Sequence, residues 1–127
     1  MIDSWGIQAT GEFAMEILER LEGDVVVLSL EGKFVGGTEC TAIYTRAKEL
    51  IEQGIHKAVV DLHQVTLLNS SGLGALVGSM ISFRRAGGDL RLARLKDRLQ
   101  GLLMAADVIQ LFETFETVEE AVKSYAT

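Results

Sequence analysis

The chain has 127 residues, of which 48% are hydrophobic and 24% are charged, a composition typical of one compact domain with its own core. Twelve Lys and Arg against 18 Asp and Glu give a formal net charge of −6, which disfavours nucleic acid as a partner. The single cysteine, Cys40, cannot form an internal disulfide, and no group of His and Cys has metal-ligand spacing. No segment approaches the roughly 18 apolar residues of a membrane span. We therefore expect a cytoplasmic protein that inserts into no membrane and uses no metal or cofactor.

The first half of the chain predicts a β-hairpin followed by a helix. Residues 1–11 show no regular pattern, whereas apolar and polar residues alternate over 12–17, as in a half-buried strand. An LEGD turn then leads to the β-branched run at 25–32, which predicts a second strand paired with the first. Thr38 is a candidate N-cap for a helix that ends near Gly54.

The second half of the chain predicts strands and helices in alternation. The apolar run AVVDL at 58–62 indicates a strand covered on both faces, at the centre of the sheet. The later elements predicted from apolar spacing are a helix over 73–81 that ends at Gly87, a strand at 89–95, a helix at 99–106, a short strand at 111–115 and a closing helix at 118–125. Because strands joined through helices usually lie parallel, we expect an α/β fold. Its sheet is predicted to be mixed and four- to five-stranded, with an N-terminal antiparallel hairpin and about four helices packed on it.

The stretch NSSGLG at 69–74 lies where the central strand is predicted to give way to a helix. An Asn or Ser in this place can cap the helix by accepting a hydrogen bond from its first backbone N–H groups. Gly72 and Gly74 permit close packing. The glycine patterns of phosphate-binding and dinucleotide-binding loops are absent, so a nucleotide site is not indicated. Helix capping is the simplest interpretation of these residues.

A nucleophilic serine is a second interpretation of the same stretch. The pattern G-x-S-x-G is missing, and His56 and His63 are the only candidate bases. Both flank the central strand, where a solvated loop histidine is the simpler assignment. Glu119 and Glu120 lie near a helix start, where carboxylates interact favourably with the helix dipole. The sequence therefore predicts no enzymatic activity.

Three stretches of the chain together resemble a known family. They are VVDLHQVTLLNSSGLGALVG at 59–78, GKFVGGTECTA at 32–42 and MAADVIQLFETFETVEEAV at 104–122. In this order they are similar to a STAS domain of the bacterial anti-sigma factor antagonist type. The most specific element is the D/N-S-S/T-G-L-G signature. The resemblance implies one STAS-like domain over 12–127 after an irregular segment at 1–11.

The resemblance also implies a phosphorylation-controlled partner switch. Ser70, the first serine of the signature, would be phosphorylated by an anti-sigma factor with serine kinase activity, and a PP2C-type phosphatase would reverse the reaction. The unphosphorylated form would bind the kinase and release a sigma factor, whereas the phosphorylated form would dissociate. This agrees with physical expectation, because a phosphate adds about −1.5 to −2 charges and like charges across an interface cost several kcal/mol.

A partner-binding surface around Ser70 follows from the same resemblance. Ser71 would cap or orient the helix, and Asn69 stands where many antagonists carry Asp. Lys33 lies in a segment where members of the family often carry an acidic residue, so the partner differs, the charges of the interface are inverted, or Lys33 is an ordinary solvated lysine. Phe34, if exposed, is the better candidate because aromatic anchors are enriched at interfaces. The predicted partner-binding residues are Asn69, Ser71, Gly72, Leu73, Lys33 and Phe34.

A structural adaptor is the alternative function. STAS-like domains also serve as constitutive subunits of stress-sensing particles or of lipid and anion transport systems, where the serine need never be modified. A small hydrolase using Ser70 is less favoured, since no positioned base is evident.

Overall fold

The computed structural model describes residues 7–8 and 15–126, which form one mixed six-stranded sheet with helices on it. The strands, in chain order and in sheet order, are β1 Ile7–Gln8, β2 Glu16–Glu22, β3 Val25–Phe34, β4 Lys57–Leu68, β5 Asp89–Ala93 and β6 Thr114–Phe115. The helices are α1 Gly37–Glu52, α2 Ser70–Arg85, α3 Asp97–Ala105 and α4 Val118–Lys123, with 3₁₀ turns at Ile109–Leu111 and Ser124–Ala126. Strands β1 to β3 pair antiparallel and strands β3 to β6 pair parallel. The predicted α/β class is confirmed, and the two-residue strand β1, which was not predicted, makes the sheet six-stranded.

The predicted N-terminal antiparallel hairpin is confirmed, but its first strand continues to Glu22 and so takes in the first two residues of the predicted LEGD turn. Strands β2 and β3 pair from Glu16 opposite Glu31 to Glu22 opposite Val25. Gly23, in the turn, has a φ of +67°, a conformation that glycine adopts without steric cost. Residues 1–6 and 9–14 lie outside the described residues, and with them most of the segment predicted to be irregular and the predicted start of the first strand.

Strand β4 is central, as predicted, but it is much longer than the apolar run 58–62. Its pairing with β5 ends at Asp61 opposite Ala93, whereas its pairing with β3 continues to Leu68. The β3–β4 ladder contains two register shifts, each of which leaves one extra residue in β4. The region after residue 62 is therefore a bulged strand, and the prediction that His63 lies in a loop beside the central strand is wrong.

Side chains of the sheet alternate between two apolar layers. In β3, Val26 and Leu28 face the larger core, which α1, α2 and α3 cover, whereas Val25 and Val27 face a smaller cluster. Helix α4 covers that smaller cluster with Val118 and two neighbouring apolar positions. Each of the four helices thus packs on the sheet by one apolar side, as the sequence pattern predicted.

Helix α1 begins two residues earlier than a cap at Thr38 would place it. Gly36 occupies the N-cap position and Thr38 lies exposed in the first turn, so the prediction of Thr38 as the cap is wrong. The Glu39 carboxylate folds back over Gly36, where an added Cβ would collide with it. Cys40 is buried on this helix, and burial, aided by Glu39, raises the pKa of its thiol.

Two predicted elements near the C-terminus are shorter in the structure. The strand predicted over 111–115 is limited to β6, because a 3₁₀ turn takes up Ile109–Leu111. The closing helix predicted over 118–125 ends as α4 at Lys123 and continues as a 3₁₀ turn.

An ion pair between the buried Asp61 and the exposed Arg94 fixes the end of β5 against β4. The Asp61 carboxylate accepts hydrogen bonds from Arg94 Nε at 3.0 Å, from Arg94 Nη2 at 2.8 Å and from the backbone N–H of His63 at 3.1 Å. Burial acts to raise the pKa of Asp61, but these hydrogen bonds outweigh burial and leave the pKa below its ordinary value. Arg94 has a φ of +61°, which is uncommon outside glycine, and its N–H also donates to the carbonyl oxygen of Phe115.

Ser79 carries a buried hydroxyl that has no hydrogen-bond partner among the described residues. We expect Ser79→Ala to raise the free energy of unfolding by about 1 kcal/mol, because the native state then no longer buries an unpaired polar group. Ser82→Ala is the matched control, since the Ser82 hydroxyl donates to the carbonyl oxygen of Gly78 at 3.1 Å and both changes share the same gain in helix propensity. Urea denaturation measures both variants. A Ser79→Ala variant less stable than the wild type would contradict this assignment.

Candidate functional site

Asn69 organises the junction between β4 and α2. Its Oδ1 accepts hydrogen bonds from the backbone N–H groups of Ser71 at 3.1 Å and Gly72 at 3.2 Å, so it is the N-cap of α2. Its Nδ2 donates to the carbonyl oxygen of Val35 at 2.9 Å, just beyond the end of β3. The capping predicted for this stretch is therefore performed by Asn69. Ser71, predicted to cap or orient the helix, supplies a backbone N–H group to that cap.

The two serine hydroxyls are left accessible by this arrangement. Ser70 is the first residue of α2, and both Ser70 and Ser71 are exposed. Within residues 15–126, neither hydroxyl makes a hydrogen bond, and none joins Ser70 to His56 or His63. The start of α2 also lacks an acidic residue in its first turn, so the positive end of the helix dipole is not offset there. The geometry presents Ser70 at a site that favours an anion.

The two residues after the serines, Gly72 and Leu73, are buried. An added Cβ at Gly72 would lie 2.4 Å from Leu68 Cδ1 and 2.5 Å from the carbonyl oxygen of Phe34, so only glycine fits here. Leu73 is buried in the main core. Gly74, in contrast, is exposed, and no atom lies within 4 Å of the position of a Cβ. Gly72 thus serves the close approach of α2 to β3, and the partner contact predicted for Gly72 and Leu73 stays a prediction.

The last two side chains of β3 differ in exposure, since Lys33 is exposed and Phe34 is buried. Phe34 is 0% exposed, because it pairs with Leu68 of β4 and its ring lies in the main core. The prediction that Phe34 offers an exposed aromatic anchor is therefore wrong. Lys33 is exposed, and its register partner Leu67 is 42% exposed. The accessible members of the site are therefore Lys33, Leu67, Asn69, Ser70 and Ser71. Of these, Leu67 was not predicted from the sequence.

An open groove of about 490 Å³ lies beside the same end of β4. It is lined by Val65 to Leu68 and by residues of the distant segment that begins α3, including Lys96 and Arg98. Sequence reasoning missed this groove because nothing in the pattern of α3 indicates that it lies beside β4.

Metal-ligand groups and membrane-spanning helices were sought in the part of the chain that the structure describes. Over those residues, no group of three His, Cys, Asp or Glu side chains could hold a metal ion. None of the described helices is long and apolar enough to span a membrane.

Comparisons with known proteins identify the fold around this site. The family model described as STAS domain matches residues 12–121. An anti-sigma factor antagonist from Mycobacterium paratuberculosis is 16% identical, with a TM-score of 0.79 over 94% of this chain and 100% of that chain. The Bacillus cell fate determinant SpoIIAA in its phosphorylated form is 18% identical, with a TM-score of 0.69 over 86% of this chain and 98% of that chain. A sulfate transporter family protein from Wolinella succinogenes is 19% identical, with a TM-score of 0.65 over 83% of this chain and 87% of that chain.

The two glycines of the signature differ sharply in the space around them. We expect Gly72→Ala to lower the free energy of unfolding by about 1–3 kcal/mol, because the new methyl group meets a backbone carbonyl that cannot move cheaply. Gly74→Ala is the matched control, and it should raise stability by up to about 1 kcal/mol because alanine favours the helix. Urea denaturation of both variants measures the difference. Equal stability of the two variants would show that α2 does not approach β3 so closely.

Proposed function

Because the chain belongs to the STAS domain family, we propose that it is an anti-sigma factor antagonist controlled by phosphorylation of Ser70. The unphosphorylated protein binds an anti-sigma factor with serine kinase activity and so releases a sigma factor. Phosphorylation of Ser70 ends this binding, and a PP2C-type phosphatase restores it. The protein acts in the cytoplasm by binding, and the serine is a substrate, not a catalytic group.

The observation that carries the proposal is the division of roles between Asn69 and Ser70. Asn69 caps the helix through Oδ1, so the Ser70 hydroxyl is not needed for capping. That hydroxyl is exposed at the first position of α2 and, over the described residues, has no intramolecular partner. A kinase can therefore reach the hydroxyl without disrupting a hydrogen bond of the fold.

Phosphate at this position is compatible with the folded state. The helix N-terminus favours an added anion by about 0.3–1 kcal/mol, so the domain keeps its structure after modification. A charge of about −1.5 to −2 at an interface disfavours a partner that fits the neutral serine. The modification therefore acts on association.

Asn69 limits what this protein contributes to phosphotransfer. Its amide is neutral and all its described hydrogen bonds are used to position the helix start, so it does not take the proton from Ser70. The kinase must supply the base. The position of Asn69 fixes where the serine lies.

The alternative function is that of a structural adaptor. The similarity in fold to a sulfate transporter family protein supports it, because a subunit of a transport assembly need not have its serine modified. In that role Ser70 is a surface residue of a constitutive subunit.

Phosphopeptide mass spectrometry on the protein from its own cells, in growth and after stress, separates the two functions. Cleavage after Lys57 and Arg84 releases both serines on one peptide, so fragment ions must assign the phosphate to Ser70 or Ser71. We expect phosphate on Ser70 with an occupancy that changes with condition, and a Ser70→Ala strain is the control. An occupancy of zero under all conditions, with the peptide well covered, would favour the adaptor.

Charge at Ser70 should affect partner binding and leave folding intact. We expect Ser70→Glu to keep the free energy of unfolding within about 1 kcal/mol of the wild type, since the helix N-terminus accommodates a carboxylate. The same change should weaken binding to the purified kinase by at least about tenfold, because each 1.4 kcal/mol of repulsion is a factor of ten. Calorimetry compares it with Ser71→Glu, which adds the same charge one residue later and should lose less affinity. Equal affinity of the wild type and Ser70→Glu would refute the switch.

A further inference from the structure

The C-terminal half of β4 has one unoccupied edge among the described strands. β5 pairs with β4 only as far as Asp61, whereas β4 continues to Leu68 against β3. Alternate backbone N–H and C=O groups of a strand point to either side, so this stretch presents polar groups where β5 has ended. Of these groups the His63 N–H is taken by the Asp61 carboxylate. The two bulges twist the edge, so a docked segment would make few backbone bonds and would depend on side-chain contacts.

The groove of about 490 Å³ lies along this edge. Its buried lining side chains are Val65, Leu68 and Leu99, and the half-buried Leu102 extends the apolar strip. Leu67 adds apolar surface to the rim, where 42% of it is exposed. The lining is mostly apolar, and a segment with apolar side chains on one side fits it.

The charge of the groove is opposite to that of the whole chain. Its charged lining residues are Lys96 and Arg98, both exposed, and no carboxylate lines it among the described residues. Asp97, which lies between them in sequence, lines a different groove with Arg94. The chain as a whole has a formal net charge of −6 and repels acidic partners, whereas this local pair of cations attracts acidic side chains.

We infer that this groove docks an extended segment of a protein partner in which apolar and acidic side chains alternate. The apolar side chains fill the strip between β4 and α3, and the carboxylates meet Lys96 and Arg98. The inference rests on the proposed function in one respect, which is that the partner is the anti-sigma factor kinase. The groove ends at Leu68, two residues before Ser70, so one partner can contact both.

Peptide titration followed by NMR of the labelled full chain tests the groove directly. The probe is the capped octapeptide EVETEVEV, in which every second side chain is acidic, and the control is KVKTKVKV. We expect saturable chemical-shift changes of the backbone amides at 64–68 and 96–102 with the acidic peptide and none with the basic peptide. No saturable shift, equal shifts with the basic peptide, or the same shifts with inorganic phosphate would overturn the inference, the last by indicating a site for small anions.

Charge reversal assigns the binding to the two cations. The double variant Lys96→Glu with Arg98→Glu should bind the acidic peptide at least about tenfold more weakly, since like charges then face each other. The matched control, Lys48→Glu with Arg85→Glu, makes the same change in net charge at exposed positions elsewhere and should bind as the wild type does. Equal loss in both variants would show a general charge effect and overturn the assignment.

The purified kinase connects the groove to the switch. The double variant at Lys96 and Arg98 should weaken kinase binding while Ser70 is intact. Full kinase affinity in a variant that has lost the peptide would overturn the choice of partner and leave the role of Ser70 untouched. A negative result for peptide binding would therefore refute the groove, whereas an absence of phosphate on Ser70 would refute the proposed function.

Discussion

The long pairing of β4 with β3 is the constraint on which the candidate site depends. Because this ladder continues to Phe34 opposite Leu68, the chain enters α2 directly above the end of β3. The carbonyl oxygen of Phe34 then lies where a side chain at residue 72 would be, and only glycine can occupy that position. Asn69 closes the junction by bonding to Val35 on one side and to the first turn of α2 on the other. The position of Ser70 is therefore fixed by the sheet and not by a flexible loop.

Each residue of the signature has a separate physical role in this arrangement. Asn69 satisfies the backbone of the helix start, Gly72 permits the close approach, and Leu73 anchors α2 in the core. Ser70 takes no part in these contacts within residues 15–126. A modification of Ser70 consequently changes the charge of the surface without removing a contact that stabilises the fold, which is the property that a reversible switch requires.

The sequence predicted the features that depend on periodicity and missed those that depend on contact between distant segments. Alternation over 12–17 and the β-branched run at 25–32 predicted the hairpin, and apolar spacing predicted the helices. The second half of β4 was missed because bulges break its alternation and one edge has no strand beside it in the described chain. The burial of Phe34 could not be predicted, since an aromatic residue at the end of a strand fits a core or an interface equally well. The capping by Asn69 was predictable because it needs only local residues.

The groove and the serine are linked by electrostatics over a short distance. Leu68 lines the groove and precedes Ser70 by two residues, so their Cα atoms are at most about 7 Å apart. A charge bound at this end of the groove can therefore lie close enough to a phosphate on Ser70 for the two to interact, since the Debye length is about 8 Å at physiological ionic strength. An acidic segment attracted by Lys96 and Arg98 would be repelled by that phosphate, whereas a basic segment would be held more tightly. A switch in which phosphorylation ends binding is therefore favoured by an acidic partner surface here, which is the kind of surface that the cations of the groove attract.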